Sequence, residues 1–178
     1  MGWKVLKEMF GIKHYVQVTS DGICIGSSYV HNIVTINPRT GEVHENPTFR
    51  NFLRDNYPGL LEAKPDDIVK LIETPDTFTT SLAVYTYENG DIIEKQCEEP
   101  GWPNVTHDGC MMYRYSFSAD KDKVVAWAKR SAARAIEHTS DYLAKAEREL
   151  AEIRSQLAGY VADQAKLEAT YPTIEKAK

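Results

Sequence analysis

The sequence has 178 residues, 42% of them hydrophobic and 26% charged, which is typical of a soluble protein with one core domain and an appendage. The formal net charge of -5 argues against general binding to nucleic acids or anionic membranes, because such polyanions are held mainly by Lys and Arg.

The first ten residues are compatible with a short helix or an edge strand. Lys4, Lys7 and Glu8 leave no apolar run, so we expect neither a signal peptide nor a membrane span, and therefore a cytoplasmic protein. In that compartment the three cysteines, which lie far apart, are expected to stay reduced. They are Cys24, Cys97 and Cys110.

Four segments rich in β-branched and aromatic residues predict a meander of about four strands. The segments are residues 14–19, 23–25, 29–36 and 42–44. Asp21 and Gly22 provide the first turn between them. Pro38 and Gly41 provide the last turn, because Pro fixes φ and Gly accepts a positive φ.

Two short helices are predicted next. The first includes Phe49, Phe52 and Leu53 at helical spacing and ends before residues 57–59. The second starts at residues 64–67, where Pro suits an early helical position and two acidic residues favour the positive end of the helix dipole.

A second hairpin is predicted where Asn89 and Gly90 separate two strand-like segments, residues 77–87 and 91–97. A loop at residues 98–109 then leads to a last predicted strand at residues 110–117. Together these elements predict an α+β fold, with a mostly antiparallel sheet and two inserted short helices.

The composition changes abruptly near Ser118. Nine of ten glycines and seven of eight prolines precede it, whereas fourteen of sixteen alanines follow it. Residues 1–118 carry 10 basic and 16 acidic side chains, a net charge of -6, and residues 119–178 carry 11 basic and 10 acidic, a net +1. We therefore predict an α+β head domain at residues 1–118 and a long helical oligomerisation segment at residues 119–178.

A single long helix is predicted from Ala119 to Thr170, with Ser118 as N-cap and Pro172 as its latest end. It carries a heptad pattern, which we call the apolar stripe. The stripe alternates positions a and d through Ile136, Thr139, Leu143, Ala146, Leu150, Ile153, Leu157, Tyr160, Gln164, Leu167 and Tyr171. A helix of about 75 Å exceeds what a head of this size can cover, so the stripe predicts a coiled coil between copies.

A helical hairpin within one chain is the alternative interpretation of the same segment. Thr139, Ser140 and Asp141 offer capping side chains in the middle of the pattern, and Gly159 is another weak point. In the coiled-coil interpretation, the main contacts of the homo-oligomer come from the large apolar members of the stripe. These are Ile136, Leu143, Leu150, Ile153, Leu157 and Leu167.

The loop before the last predicted strand contains the densest set of reactive side chains. Its residues include Cys97, Glu98, Glu99, Trp102, His107, Asp108 and Cys110. The cysteine spacing does not match a zinc site, and a Cys110–His107 pair lacks a readable third group, so neither a metal nor a catalytic cysteine is predicted. A recognition surface around Trp102 is favoured, because the flanking Pro and Gly residues stiffen the backbone. The alternative is that Trp102 folds back onto the sheet edge.

Lys123, Arg130 and Arg134 share one face of the predicted helix and could hold an anion such as a nucleotide phosphate or an acidic protein. The alternative is that they form an ordinary solvent-exposed helix face. The predicted ligand-binding residues are therefore Trp102, His107, Asp108, Lys123, Arg130 and Arg134. No catalytic residue and no cofactor is predicted.

The sequence thus favours a non-catalytic, self-associating protein that binds or sequesters a protein partner or a small anionic ligand. An accessory protein of the kind encoded by phages or mobile elements would suit this organisation. One alternative is a small enzyme that acts on a nucleotide or peptide through the loop from Trp102 to Cys110. Another is a structural subunit of a larger assembly.

Overall fold

The computed structural model describes residues 2–171. By its internal contacts the chain divides into two units, Met1–Ala128 and Lys129–Lys178. Sheets and short helices form the first unit, whereas the second contains most of one long helix. The structure therefore has the predicted α+β organisation followed by a long C-terminal helix.

Four short strands form an antiparallel sheet in which each strand pairs with the next along the chain. They are β1 (Tyr15–Thr19), β2 (Gly22–Gly26), β3 (Val34–Ile36) and β4 (Val43–Glu45). The register places Gln17 opposite Cys24 and Thr35 opposite His44. The predicted meander is confirmed, although β3 occupies only the end of the segment expected to be extended.

Four short α-helices pack in the same unit. They are α1 (Trp3–Met9), α2 (Phe52–Asn56), α3 (Pro58–Glu62) and α4 (Pro65–Glu73). The first ten residues are thus helical. Where the sequence predicted two helices, the structure has three and a 3-10 turn at Pro47–Phe49. The extra helix arises because Tyr57 ends α2 and Pro58, whose fixed φ suits a first helical position, starts α3 at once.

The core lies between the sheet and these helices. All five residues of β2 are buried, which means that both faces of the sheet are covered at this strand. The main core side chains are Trp3, Leu6, Val16, Ile23, Ile25, Val34, Ile36, Leu53, Leu60, Ile68 and Ile72.

A separate two-stranded antiparallel sheet joins β5 (Leu82–Glu88) to β6 (Asp91–Cys97). Asn89 and Gly90 both have positive φ, 50° and 91°, so the predicted tight hairpin is confirmed. The predicted strand at residues 110–117 is wrong. One isolated bridge forms there, between Val105 and Met111, and a second joins Tyr85 to Ser118 just after the segment. Between them the chain turns at residues 114–116, where Tyr115 has a positive φ of 67° that an extended strand does not accommodate.

The final helix, α5 (Lys121–Thr170), is continuous for 50 residues, or about 75 Å. It passes through Thr139 and Gly159 without a break, so a helical hairpin does not form within it. The N-cap is Asp120 and not Ser118, since the Asp120 carboxylate accepts a hydrogen bond from the Lys123 amide at 3.2 Å.

The Ser118 hydroxyl instead accepts a hydrogen bond from the Asp120 amide at 3.1 Å. The predicted limit at Pro172 lies outside the described residues. Across residues 2–171, no helix combines the length and apolar character needed to cross a membrane.

Candidate functional site

The loop between β6 and α5 is tied to three other elements. The Trp3 indole nitrogen in α1 donates to the His107 carbonyl at 2.9 Å. The His107 amide donates to the Gln96 carbonyl in β6 at 2.7 Å, and the Val18 amide in β1 donates to the Gly109 carbonyl at 2.8 Å. These bonds hold the middle of the loop in one conformation, so that it can present side chains from a rigid support.

The His107 ring is one of the side chains that fix this loop. It lies parallel to the Phe78 ring, with centroids 3.8 Å apart and planes 4° apart. Its Nε2 atom is 3.1 Å from the Thr80 carbonyl oxygen. A carbonyl only accepts, so Nε2 carries the proton in this tautomer. These contacts make His107 an anchor of the loop.

Asp108 is also engaged within the loop. Its carboxylate forms an ion pair with Lys95 and accepts a hydrogen bond from the Thr106 hydroxyl. Burial raises the pKa of Asp108, but the hydrogen bonds from Lys95 and Thr106 and the Lys95 charge outweigh burial and lower it overall. Asp108 is therefore ionised at neutral pH. The Thr106 hydroxyl, which donates to Asp108, also accepts a hydrogen bond from the Cys110 amide and so stabilises the same turn.

The two cysteines of this region are shielded thiols. Burial raises the pKa of Cys97, and burial is also the largest cause of the raised pKa of Cys110. A raised pKa disfavours the thiolate, which is the form that attacks carbonyls and binds soft metals. Across residues 2–171, no three His, Cys, Asp or Glu side chains are grouped so that they could hold a metal ion.

Trp102 is half-buried and contacts two residues that the sequence analysis did not connect with it. The edge of the Tyr29 ring meets it at a centroid distance of 6.0 Å and an interplanar angle of 70°. The Arg114 guanidinium lies 4.9 Å from the Trp102 ring centroid, a cation–π geometry. Trp102, Tyr29 and Arg114 thus form one aromatic and basic group.

A second group of the same kind surrounds Trp127 in the first turns of α5. The Tyr115 ring meets Trp127 edge-on at 6.1 Å and 77°, and Lys123 Nζ lies 5.2 Å from the Trp127 ring centroid. Arg114 and Tyr115 are consecutive residues, so one peptide bond links the two groups. We call these six residues the aromatic–basic surface: Tyr29, Trp102, Arg114, Tyr115, Lys123 and Trp127.

Only two of the six, Trp102 and Lys123, were predicted as ligand-binding residues. Tyr29, 85% exposed, lies far from Trp102 in sequence. Arg114 and Tyr115 fall in the segment that was expected to be a strand. A signal was present in the run Tyr113-Arg114-Tyr115, whose residue types are enriched in protein interfaces.

The three predicted anion-binding residues of α5 fall in different units. Lys123 belongs to the first unit, whereas Arg130 and Arg134 belong to the second. All three side chains are exposed.

A cleft beside α1 was also missed by the sequence analysis. It has a volume of about 330 Å³ and is lined by Trp3, Lys4, Lys7, Glu8, Ile12 and Glu98, together with Gly11. Burial lowers the pKa of Lys7. Lys4 is paired with Glu98 at 2.8 Å. The sequence left the first ten residues open between a short helix and an edge strand, so it could not place their side chains around a cleft.

The large side chains of the apolar stripe are exposed within the single chain. The relative exposure of its Leu and Ile side chains ranges from 47% for Leu150 to 68% for Ile136, and Tyr160 and Tyr171 are 70% and 74% exposed. Tyr142 and Val161, which flank the stripe, are exposed as well. The stripe is therefore an uncovered apolar surface within the described residues.

Comparisons of this chain with protein-family models, with curated proteins and with solved structures find no match.

Proposed function

We propose that this protein is a non-catalytic binding protein that self-associates through α5. The observation that carries the proposal is the exposure of the apolar stripe along a helix of 50 residues. Large side chains at regular a and d positions lose contact with water when two such helices pack together, and this burial is the main source of coiled-coil stability.

A second copy of the same chain fits this stripe better than an unrelated protein does. The repeat continues for eleven a and d positions without an insertion, the regularity that knobs-into-holes packing between equivalent helices requires. Glu149 at position g and Arg154 at the following position e attract each other across a parallel pair. The apolar pattern at positions a and d is thus complementary to itself.

The binding role rests on the aromatic–basic surface, whose exposed tyrosine rings and cations suit recognition of a partner. Self-association would carry several copies of that surface in one assembly. Several weak contacts then act together, because the second contact forms at a high effective concentration. This arrangement suits a protein that holds or sequesters another molecule without transforming it.

Size-exclusion chromatography with light scattering tests the self-association. We expect the full-length protein to be oligomeric at about 50 μM and Leu150→Lys to be largely monomeric, because a charge at position a must be buried in the assembly. The matched control is Ser155→Lys, which places the same charge at the outward position f and should leave the oligomer intact. Circular dichroism should show similar helix content for both variants.

A wild-type protein that is monomeric at this concentration would reject the proposal. Equal effects of Leu150→Lys and Ser155→Lys would also reject it, since the stripe would then have no special role. A monomer that becomes oligomeric only when another protein is added would assign the stripe to a different occupant.

A further inference from the structure

We propose that the aromatic–basic surface is the docking site for an acidic segment of a partner protein. This inference rests on the proposed binding function and specifies the chemistry of the partner. It concerns residues of the first unit only, so it can be tested apart from the assembly of α5.

The surface consists of two groups built in the same way. In each group a tryptophan has a cation near its ring, Arg114 at 4.9 Å from Trp102 and Lys123 at 5.2 Å from Trp127. In each group a tyrosine also meets the tryptophan edge-on, at 6.0 and 6.1 Å. The cations are positioned by the rings, so less side-chain entropy is lost when a partner binds.

The tyrosines provide the accessible apolar area of the surface. Tyr29 is 85% exposed and Tyr115 is 74% exposed, although each has one ring contact with a tryptophan. Tyr, Trp and Arg are the residues that most often dominate binding energy at protein interfaces. Tyr and Trp do so because they bring a large contact area with only two rotatable bonds. Five of the six residues of the surface are of these types, and the sixth is Lys123, so the surface is a suitable centre for an interface.

The backbone around Tyr115 is held in place. Tyr115 adopts a positive φ of 67°, which is unusual for a large L residue. The turn is fixed on one side by paired hydrogen bonds between Tyr85 and Ser118, at 2.8 and 3.1 Å. The Ser116 hydroxyl donates to the Tyr113 carbonyl at 3.0 Å. The exposed ring is thus presented by a rigid turn.

The charge of the surface indicates an acidic partner. Arg114, Lys121 and Lys123 form no ion pair within residues 2–171, where other lysines are paired with carboxylates. The nearby Asp120 carboxylate is already occupied as the N-cap of α5. These three cations are therefore available to carboxylates of another protein.

A protein partner fits better than a single-stranded nucleic acid. Exposed aromatics and cations would also suit base stacking and phosphate contacts. However, residues 1–118 have a net charge of -6, so a long polyanion crossing this unit would be repelled beyond the basic patch. A short acidic peptide segment contacts only the patch and avoids that repulsion.

Selection from a displayed library of random 12-residue peptides tests this proposal. We expect the selected peptides to be enriched in Asp and Glu over the unselected library. A synthetic copy of the best peptide should bind one site per chain by isothermal titration calorimetry, and a copy with its acidic residues changed to Lys should not bind. Arg114→Glu should weaken binding tenfold or more, whereas the control Arg39→Glu, in the exposed turn before β4, should change it less than twofold.

Two additions separate folding and assembly effects from docking. Arg114→Gln removes the charge more mildly and should still weaken binding severalfold, with an unchanged thermal melt. The titrations are repeated on Leu150→Lys. If the wild-type protein proves monomeric but still binds the peptide, the self-association is rejected and the docking site is supported. Absence of acidic enrichment, equal losses in the Arg114 and Arg39 variants, or binding of oligo-dT in place of the peptides would overturn the docking site.

Discussion

The His107 ring stacks on the Phe78 ring with centroids 3.8 Å apart, while Lys4 Nζ lies 5.0 Å from the same Phe78 centroid. Phe78 is thus in contact with side chains from the loop after β6 and from α1. The hydrogen bond from His107 to the Thr80 carbonyl adds a polar contact at the same place. We conclude that His107 positions the loop that carries Trp102.

Removal of the His107 ring should therefore lower stability. We expect His107→Ala to reduce the free energy of unfolding by about 1–2 kcal/mol, from the lost stacking and the lost hydrogen bond. His107→Phe keeps the stack and should recover part of the loss. Urea denaturation measures both. If the urea midpoint of His107→Ala equals that of the wild-type protein, the anchoring role is contradicted.

Gly109 offers a second test of how the loop is held. A Cβ atom there would lie 2.3 Å from Val18 Cγ2, and the φ of Gly109 is +86°. We expect Gly109→Ala to destabilise the protein by about 2–4 kcal/mol, from backbone strain and from the clash with β1. Gly101→Ala is the matched control, with φ +103° and open space around the new atom. It should cost only about 1 kcal/mol, and equal losses by urea denaturation would argue against the clash.

Local patterns allowed much of the fold to be predicted from the sequence. Asn89 and Gly90 specify a hairpin because only a few residues tolerate their backbone angles, and Asp66 and Asp67 mark the first turn of α4 through the helix dipole. The long helix was predicted for the same reason, since its alanines and heptad spacing act over short sequence distances.

The failures involve contacts that no local pattern encodes. The segment at residues 110–117 has strand-like composition, yet Tyr115 adopts a positive φ and ring contact with Trp127. The pairing of Trp102 with Tyr29 depends on where two distant loops meet. The loop itself was predicted as a recognition surface. That Arg114 lies against Trp102, and that Trp127 of α5 belongs to the same surface, could be seen only in the tertiary fold.

The Lys4–Glu98 ion pair should make stability depend on pH in the acid range. Hydrogen bonds from Lys4, opposed by burial and reinforced by Thr79, lower the pKa of Glu98 from 4.5 to about 2. A carboxyl whose pKa is lower in the folded chain stabilises it above the unfolded pKa, and this stabilisation is lost as the pH falls from 4.5 towards 2.

We therefore expect Glu98→Gln to cost about 1–2 kcal/mol at pH 7, a figure reduced for partial solvent exposure. The difference from wild type should shrink as the pH is lowered below 4.5. Glu99→Gln, the neighbouring exposed residue, is the control and should change stability by less than about 0.5 kcal/mol. Thermal melts from pH 7 to pH 2.5 measure the effect, and a difference independent of pH would exclude this cause.

The relative direction of the associated helices can be tested at Asp163. In a parallel pair, Asp163 at position g faces Glu168 at the following position e of the other copy, and these like charges repel. Asp163→Lys converts the repulsion into attraction at two symmetric places. We expect it to lower the dissociation constant of the assembly about fivefold or more at low salt. The decrease should be smaller at 1 M NaCl, because ions screen exposed charges.

Asp141→Lys makes the same substitution at the outward position f and should leave the dissociation constant nearly unchanged. Sedimentation equilibrium of the two variants gives the comparison directly. In an antiparallel pair, position g faces g of the other copy, so Asp163 would not meet Glu168 as a regular neighbour. Equal dissociation constants for the two lysine variants would therefore reject parallel packing while leaving self-association itself intact.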